Sequence, residues 1–253
     1  MNETLTILLA GIFLPLFPLS MVFSAVFDRV NNAWTRVILL AIWPFVGLFI
    51  VLSNNLTMPD WVLPLALFTS TLYAFRMLTL REVNQWSGFL ATSLWSLLWI
   101  AIIHDTQQKL LVFYVISMSL PLVLLAFLSA GLEKRFGAAY TGLYGGLART
   151  IPRFSGILVT VIVAAIASPL FPTFFIMFDL IVESIAIAPY ASITLLLIWL
   201  LWSWAGARLI QGLIVGRASD VKILDYNIVT ISFYSMILLA LIISGLYLSG
   251  VIL

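Results

Sequence analysis

The chain has no cysteine and one histidine, His104, among 253 residues, and only 9% of its side chains are charged. Without thiols there is no disulfide, no thiolate nucleophile and no Cys-ligated zinc or iron–sulfur site. One histidine cannot build a bis-histidine haem or a histidine metal cluster, so the chain alone is expected to hold no metal and no cofactor. A water-soluble domain carries about 25% charged residues to face its solvent, and this chain has far too few to cover a surface of its size. Also missing are P-loop, GxSxG and HExxH strings, so nothing supports nucleotide use or hydrolysis within the chain. Twelve basic residues against ten acidic ones leave a net charge of +2, too little to suggest nucleic acid as a partner. No low-complexity tract, hydrophilic linker or convincing internal repeat occurs.

What is present is apolar: 63% hydrophobic residues and a mean hydropathy of +1.18. A bilayer accounts for both the deficit and the excess. Inside lipid, backbone polar groups must pair within the protein, which leaves helices or a closed barrel. Barrel strands alternate in polarity over about ten residues, whereas the apolar runs here are continuous and approach the ~20 residues a helix needs to cross the hydrocarbon core. The expected fold is all-α, a polytopic bundle of about eight or nine spans forming a single transmembrane domain over residues 1–253. Candidate spans are Leu5–Phe27, Val37–Leu52, Trp61–Leu78, Trp86–Ile103, Leu110–Leu132, Phe154–Leu170, Thr173–Ile187, Ser192–Gly216 and Ile228–Leu253. The N-terminus lacks the basic start and cleavage site of a signal peptide, so the first run reads as a retained span. The seventh is short, bounded by Pro169, Pro172 and Pro189, and predicts one proline-interrupted, discontinuous helix near residues 169–189.

Trp34, Trp43, Trp61, Trp86 and Trp95 lie toward predicted span ends and read as interfacial anchors. Pro15, Pro18, Pro44, Pro64 and Pro121 read as kinks inside spans. The loops at Asp28–Arg36, Arg76–Glu82 and Glu133–Arg153 hold eight of the twelve basic residues, which makes their side cytoplasmic by the positive-inside rule. Arg217 and Lys222 join that side only if the seventh segment does not cross by itself.

Asp179 and Glu183 are spaced by four residues, one turn apart on one helix face. A carboxylate at bilayer depth costs ~2.5–3.5 kcal/mol on insertion scales, so it must be paired, protonated or hydrated. Both are proton-relay candidates; the alternative is a buried ion pair, with Arg208 on the next span as the possible charge partner, or a contact between subunits. Arg208 can also snorkel to the interface. His104, beside Asp105, reads as a solvated loop histidine, and Arg149 and Arg153 as headgroup anchors.

One region carries more than hydropathy. It runs from Leu132-Glu133-Lys134-Arg135 through Gly145-Gly146-Leu147-Ala148-Arg149-Thr150-Ile151-Pro152-Arg153 to Ser168-Pro169-Leu170-Phe171-Pro172 and Phe174-Phe175-Ile176-Met177-Phe178-Asp179. This resembles the antiporter-like subunits of respiratory complex I, Mrp-type cation/proton antiporters, membrane-bound hydrogenases and inorganic-carbon (DAB-type) transporters. The resemblance covers about residues 110–216, between generic membrane helices (1–109) and a loop with a last span (217–253). It implies a discontinuous helix with an ionisable residue at or near Asp179. The departures are that family members have about fourteen spans with buried lysines, whereas Lys109, Lys134 and Lys222 all lie in loops here, and that Ser117, Ser119 and Pro121 stand in a span that usually carries histidine.

The resemblance implies an integral membrane subunit of a multi-subunit proton- or cation-coupled complex, partnered by other membrane subunits and by protons or Na⁺, in a bacterial inner membrane. With no catalytic motif, any enzymatic role is that of a subunit in a proton-translocating assembly. The alternatives are a non-conducting scaffold subunit and a membrane anchor for a quinone-reactive enzyme.

Overall fold

The structure is a computed structural model and describes residues 3–54, 56–142, 146–216 and 224–252. Among these the chain is helical, and its only β-type pairing is an isolated bridge between Glu82 and Tyr140. Five helical stretches are long and apolar enough to cross a membrane: α3 (Ala33–Asn54), the near-continuous pair α5 (Val83–Ser96) and α6 (Leu98–Ile103), α7 (Gln108–Phe136), α11 (Pro189–Ile214) and α12 (Ile228–Ile252). The shorter helices are α1 (Glu3–Phe13), α2 (Ser20–Arg29), α4 (Val62–Met77), the single turn α8 (Leu147–Thr150), α9 (Pro152–Ala165) and α10 (Pro172–Ile187).

Two crossings are broken, where the sequence predicts one. Along α3, Thr57 just past its end donates to Glu3 at 2.9 Å, Phe13 packs on Trp43 at 5.0 Å, Phe23 packs on Trp43 at 5.4 Å, and Arg36 donates to the Val30 carbonyl at 2.7 Å. The pair α1 and α2 therefore forms one antiparallel crossing, interrupted at residues 14–19. Pro15 and Pro18 do not kink a helix; they lie in the break itself. The same logic joins α9 and α10. Phe154 lies against Gly131 near the C-terminus of α7, and Asp179 bonds Tyr114 near its N-terminus. The predicted sixth and seventh spans are thus two halves of a single crossing, interrupted at residues 166–171. Ala167 and Leu170 carry positive φ values of 57° and 82° there, a geometry non-glycine residues adopt only under surrounding constraint. Pro172 then opens α10 at its first helical position, as Pro152 and Pro189 open α9 and α11, where a missing N–H costs nothing.

A break inside a bilayer frees backbone groups that need partners. Side chains from neighbouring helices supply them. Trp99 donates its indole N–H to the Leu14 carbonyl at 2.9 Å, Trp43 to Ile12 at 3.1 Å, and the Phe17 N–H donates to the Thr69 hydroxyl at 2.9 Å. At the second break Trp199 donates to Ala167 at 3.0 Å and Thr173 to Ala164 at 2.7 Å. This corrects the interfacial reading of the tryptophans: Trp86 and Trp95 are fully buried and Trp43 is partly so, whereas Trp34 and Trp61 remain exposed.

The central crossing is α5–α6, the most deeply buried of the membrane-length stretches. It packs on α4 through a reciprocal pair in which Ser70 donates to the Ser93 carbonyl and Ser93 to the Ser70 carbonyl, both at 2.9 Å. Trp202 of α11 donates to the Ser93 hydroxyl at 2.8 Å. With two broken crossings counted once each, the described residues make eight crossings.

Nine of the ten described lysines and arginines then fall toward one end of the bundle, with Lys109 alone at the other. Arg217 and Lys222, on which the sequence-based orientation was divided, lie outside the described residues, as does Gly145 of the glycine pair; both ends of the 215–227 link sit at the basic end. That end is held by the partly buried pair Arg36–Glu133 at 3.2 Å, with Asn84 also donating to Glu133, and by Asp225, which accepts from the Arg153 and Phe154 N–H groups at 2.8 and 3.0 Å. The Asp225 carboxylate thereby caps α9 from 72 residues beyond Arg153 in the chain, and an anion at a helix N-terminus is favourable.

Candidate proton site

At the opposite end, α10 carries both predicted carboxylates, and the broken crossing sets their depth. Asp179 lies about 12 Å from the α10 C-terminus at 1.5 Å per residue, and Glu183 one turn nearer to it. Asp179 is partly buried, and the hydroxyl of fully buried Tyr114, on α7, donates to its Oδ2. Glu183 meets His104 through Oε2 and Nδ1 at 3.0 Å, and the imidazole is only 3% exposed. His104 therefore does not sit in a solvated loop. The α5–α6 crossing ends there and α10 covers it.

A cavity of about 640 Å³ opens at this end and is lined by His104, Thr106, Lys109, Asp179, Glu183 and Tyr247, among others. The Thr106 hydroxyl, buried and without a protein partner, lies on its wall; buried polar atoms without protein partners are commonly met by water. The cavity therefore offers an open approach to Asp179, lined by polar and ionisable side chains, from this end of the bundle. Among the described residues throughout the bundle, the buried polar side chains other than Asn84 and Arg36 are serine and threonine hydroxyls, including Ser117 and Ser119 on α7, and Ser119 accepts from the Trp95 indole at 3.2 Å.

Arg208 does not reach this site. It lies on α11 toward the basic end, lining a different cavity with Met77, Arg81 and Thr141, and it makes no ion pair with Asp179. The reason is antiparallel register. Ser192 bonds the Ile181 carbonyl and Trp199 packs on Phe174, so Asp179 faces the start of α11 and Arg208 its far end. Sequence reasoning missed Tyr114 and His104 as site residues because each comes from a crossing whose neighbours hydropathy does not specify. Among the described residues no three His, Asp or Glu side chains gather to hold a metal.

No protein-family model matches the sequence, and no curated protein matches it. Solved structures do. The chain is similar to a chain of respiratory complex I from Thermus thermophilus, with a TM-score of 0.83 and 16% identity over 97% of this chain and 54% of that one. It is similar to a chain of a membrane-bound sulfane sulfur reductase, an archaeal respiratory membrane complex, with a TM-score of 0.82 and 15% identity over 98% of this chain and 53% of the other. A chain of the Mrp complex from a Dietzia species gives a TM-score of 0.76 and 13% identity over 86% and 42%. The likeness extends well past residues 110–216, into helices the sequence marks only as generic. The chain thus has the fold of membrane chains found in complex I and Mrp assemblies, and spans about half the length of each of those matched.

Proposed function

We propose that the chain is an integral membrane subunit of a multi-subunit, ion-coupled complex, and that Asp179 takes up and returns protons through the cavity it shares with Glu183 and His104. One observation carries this reading. A carboxylate stationed at bilayer depth has a phenol, not a cation, as its hydrogen-bond partner, and lines an open polar cavity. A merely structural ion pair needs an opposite charge to repay desolvation, and none pairs with Asp179 among the described residues. Tyr114 steadies the carboxylate, and the His104–Glu183 pair stands nearer the mouth as a first proton acceptor. Beyond Asp179 lie hydroxyls and indoles, with no buried lysine among the described residues, so partner subunits complete the route or use its occupancy. Protons are the favoured ion, Na⁺ the alternative, and the basic end is the cytoplasmic one in a bacterial inner membrane.

The hydroxyl-only interior also favours a second reading, in which the fold is kept as a non-conducting scaffold. Anchoring a quinone-reactive enzyme and service in an inorganic-carbon transporter remain narrower versions of the same placement. Asp179→Asn in the assembled complex, reconstituted in liposomes with an internal pH dye, separates conduction from scaffolding. Coupled proton movement is expected to fall to background while the complex stays intact on size exclusion. Unchanged coupled movement from an intact complex would overturn the relay.

A further inference from the structure

Arg208 is left without a role by the proton site, yet it does not stand alone. It lines a cavity of about 470 Å³ at the basic end together with Arg81, which follows α4. The two residues are far apart in the chain, and the Arg81 backbone and the helix that carries Arg208 are tied to the same short loop. The Thr141 N–H donates to the Arg81 carbonyl at 2.8 Å, and the Gly142 N–H donates to the Gly212 carbonyl of α11 at 3.3 Å. Gly212 makes that approach possible, because a Cβ there would lie 3.0 Å from the Thr141 Cβ. The cavity is therefore framed by main chain as well as by the two long side chains. Neither guanidinium has a carboxylate partner among the described residues. With no carboxylate partner among the described residues, two exposed guanidinium groups that line one cavity favour an anion there, and the planar donor fork of arginine matches the oxygens of a phosphate.

The position selects the kind of phosphate. Arg208 lies six residues, about 9 Å, before the end of α11 at Ile214, at the depth where a membrane-spanning helix meets headgroups. Leu78 and Leu80, both partly exposed, line the cavity beside the arginines, and Thr141 and Gln211 add polar side chains. Charge together with apolar wall suits a molecule that is anionic at one end and greasy at the other. We propose that this cavity is a binding site for the phosphate headgroup of an anionic phospholipid, held between Arg81 and Arg208. Basic clusters on the cytoplasmic side of membrane helices recognise such lipids through the same physics.

The test uses the full chain in detergent micelles, with thermal unfolding and native mass spectrometry read against added phosphatidylglycerol, phosphatidylcholine or inorganic phosphate. Phosphatidylglycerol is expected to raise the unfolding midpoint and to remain bound, and phosphatidylcholine is not. The Arg81→Ala/Arg208→Ala variant should bind phosphatidylglycerol roughly tenfold or more weakly, the scale of losing a charge-assisted hydrogen bond. The Arg29→Ala/Lys134→Ala variant removes the same charge from the same end, away from the cavity, and should bind as the parent does. If the first double variant fails to fold, Arg208→Gln alone carries the test and should still weaken binding. Equal losses in the two double variants, equal stabilisation by phosphatidylcholine, or stabilisation by inorganic phosphate alone would each overturn the lipid site.

Discussion

At the second break α12 comes close to another stretch of backbone, and one methyl group tests the approach. A Cβ on Gly245 would overlap the Leu170 carbonyl oxygen and lie 3.0 Å from both Phe171 C and Pro172 N. All three atoms are main chain, held by the Trp199 and Thr173 hydrogen bonds around the break, so none can swing aside as a side chain would. Overpacking of this kind costs ~1–3 kcal/mol, partly offset by the ~0.5–1 kcal/mol that alanine gains over glycine inside a helix. Gly245→Ala is therefore expected to destabilise the chain by about 1–2 kcal/mol. Gly250→Ala is the matched control: same helix, same substitution, and nothing within 4 Å of its Cβ, so it should gain about 0.5–1 kcal/mol. The predicted gap of about 1.5–3 kcal/mol corresponds to roughly 3–12 °C between midpoints at ~2–4 °C per kcal/mol for a chain of this size. Thermal unfolding of both variants in one detergent measures it. Since α10 begins at Pro172, Gly245→Ala should also displace Asp179 and lower coupled proton movement, which Gly250→Ala should leave alone. Equal midpoints for the two variants would refute the close approach of α12 to the break.

Tyr114→Phe removes the hydroxyl that donates to Asp179 and should slow coupled proton movement roughly 10–100-fold, the scale of one charge-assisted hydrogen bond, with assembly intact; a parental rate would remove Tyr114 from the site. Glu133→Gln leaves Arg36, only 9% exposed at its side chain, without its ion-pair partner, with Asp28 as the other carboxylate that acts on it. Because Glu133 itself is 33% exposed, the expected loss is about 1–3 kcal/mol rather than the 3–5 of a fully buried pair. A double-mutant cycle with Arg36→Leu should recover part of it, and strict additivity would mean that the pair is not coupled. The natural absence of cysteine lets single substitutions report topology: Asp60→Cys and Ala138→Cys should react with an impermeant maleimide from opposite sides of a sealed vesicle. Labelling from the same side would break the eight-crossing arrangement.

Composition alone determined the class. With 9% charge and apolar runs near membrane length, no arrangement other than a helical bundle in lipid can satisfy both the side chains and the backbone. The sequence also marked the stretch near residues 169–189 as broken, because proline cannot continue a helix, and the spacing of Asp179 and Glu183 placed them one turn apart. The number of crossings was not legible. Hydropathy counts apolar runs, but whether two runs separated by a break are two crossings or one depends on which neighbour they lie along, and only the contacts of α1–α2 with α3 and of α9–α10 with α7 decided that. Partners were equally hidden. The sequence offered Arg208 to Asp179 by proximity along the chain, whereas antiparallel packing carries Arg208 to the basic end and brings Tyr114 and His104 to the two carboxylates. Local pattern fixes which groups must be satisfied, and tertiary register decides which distant side chains satisfy them.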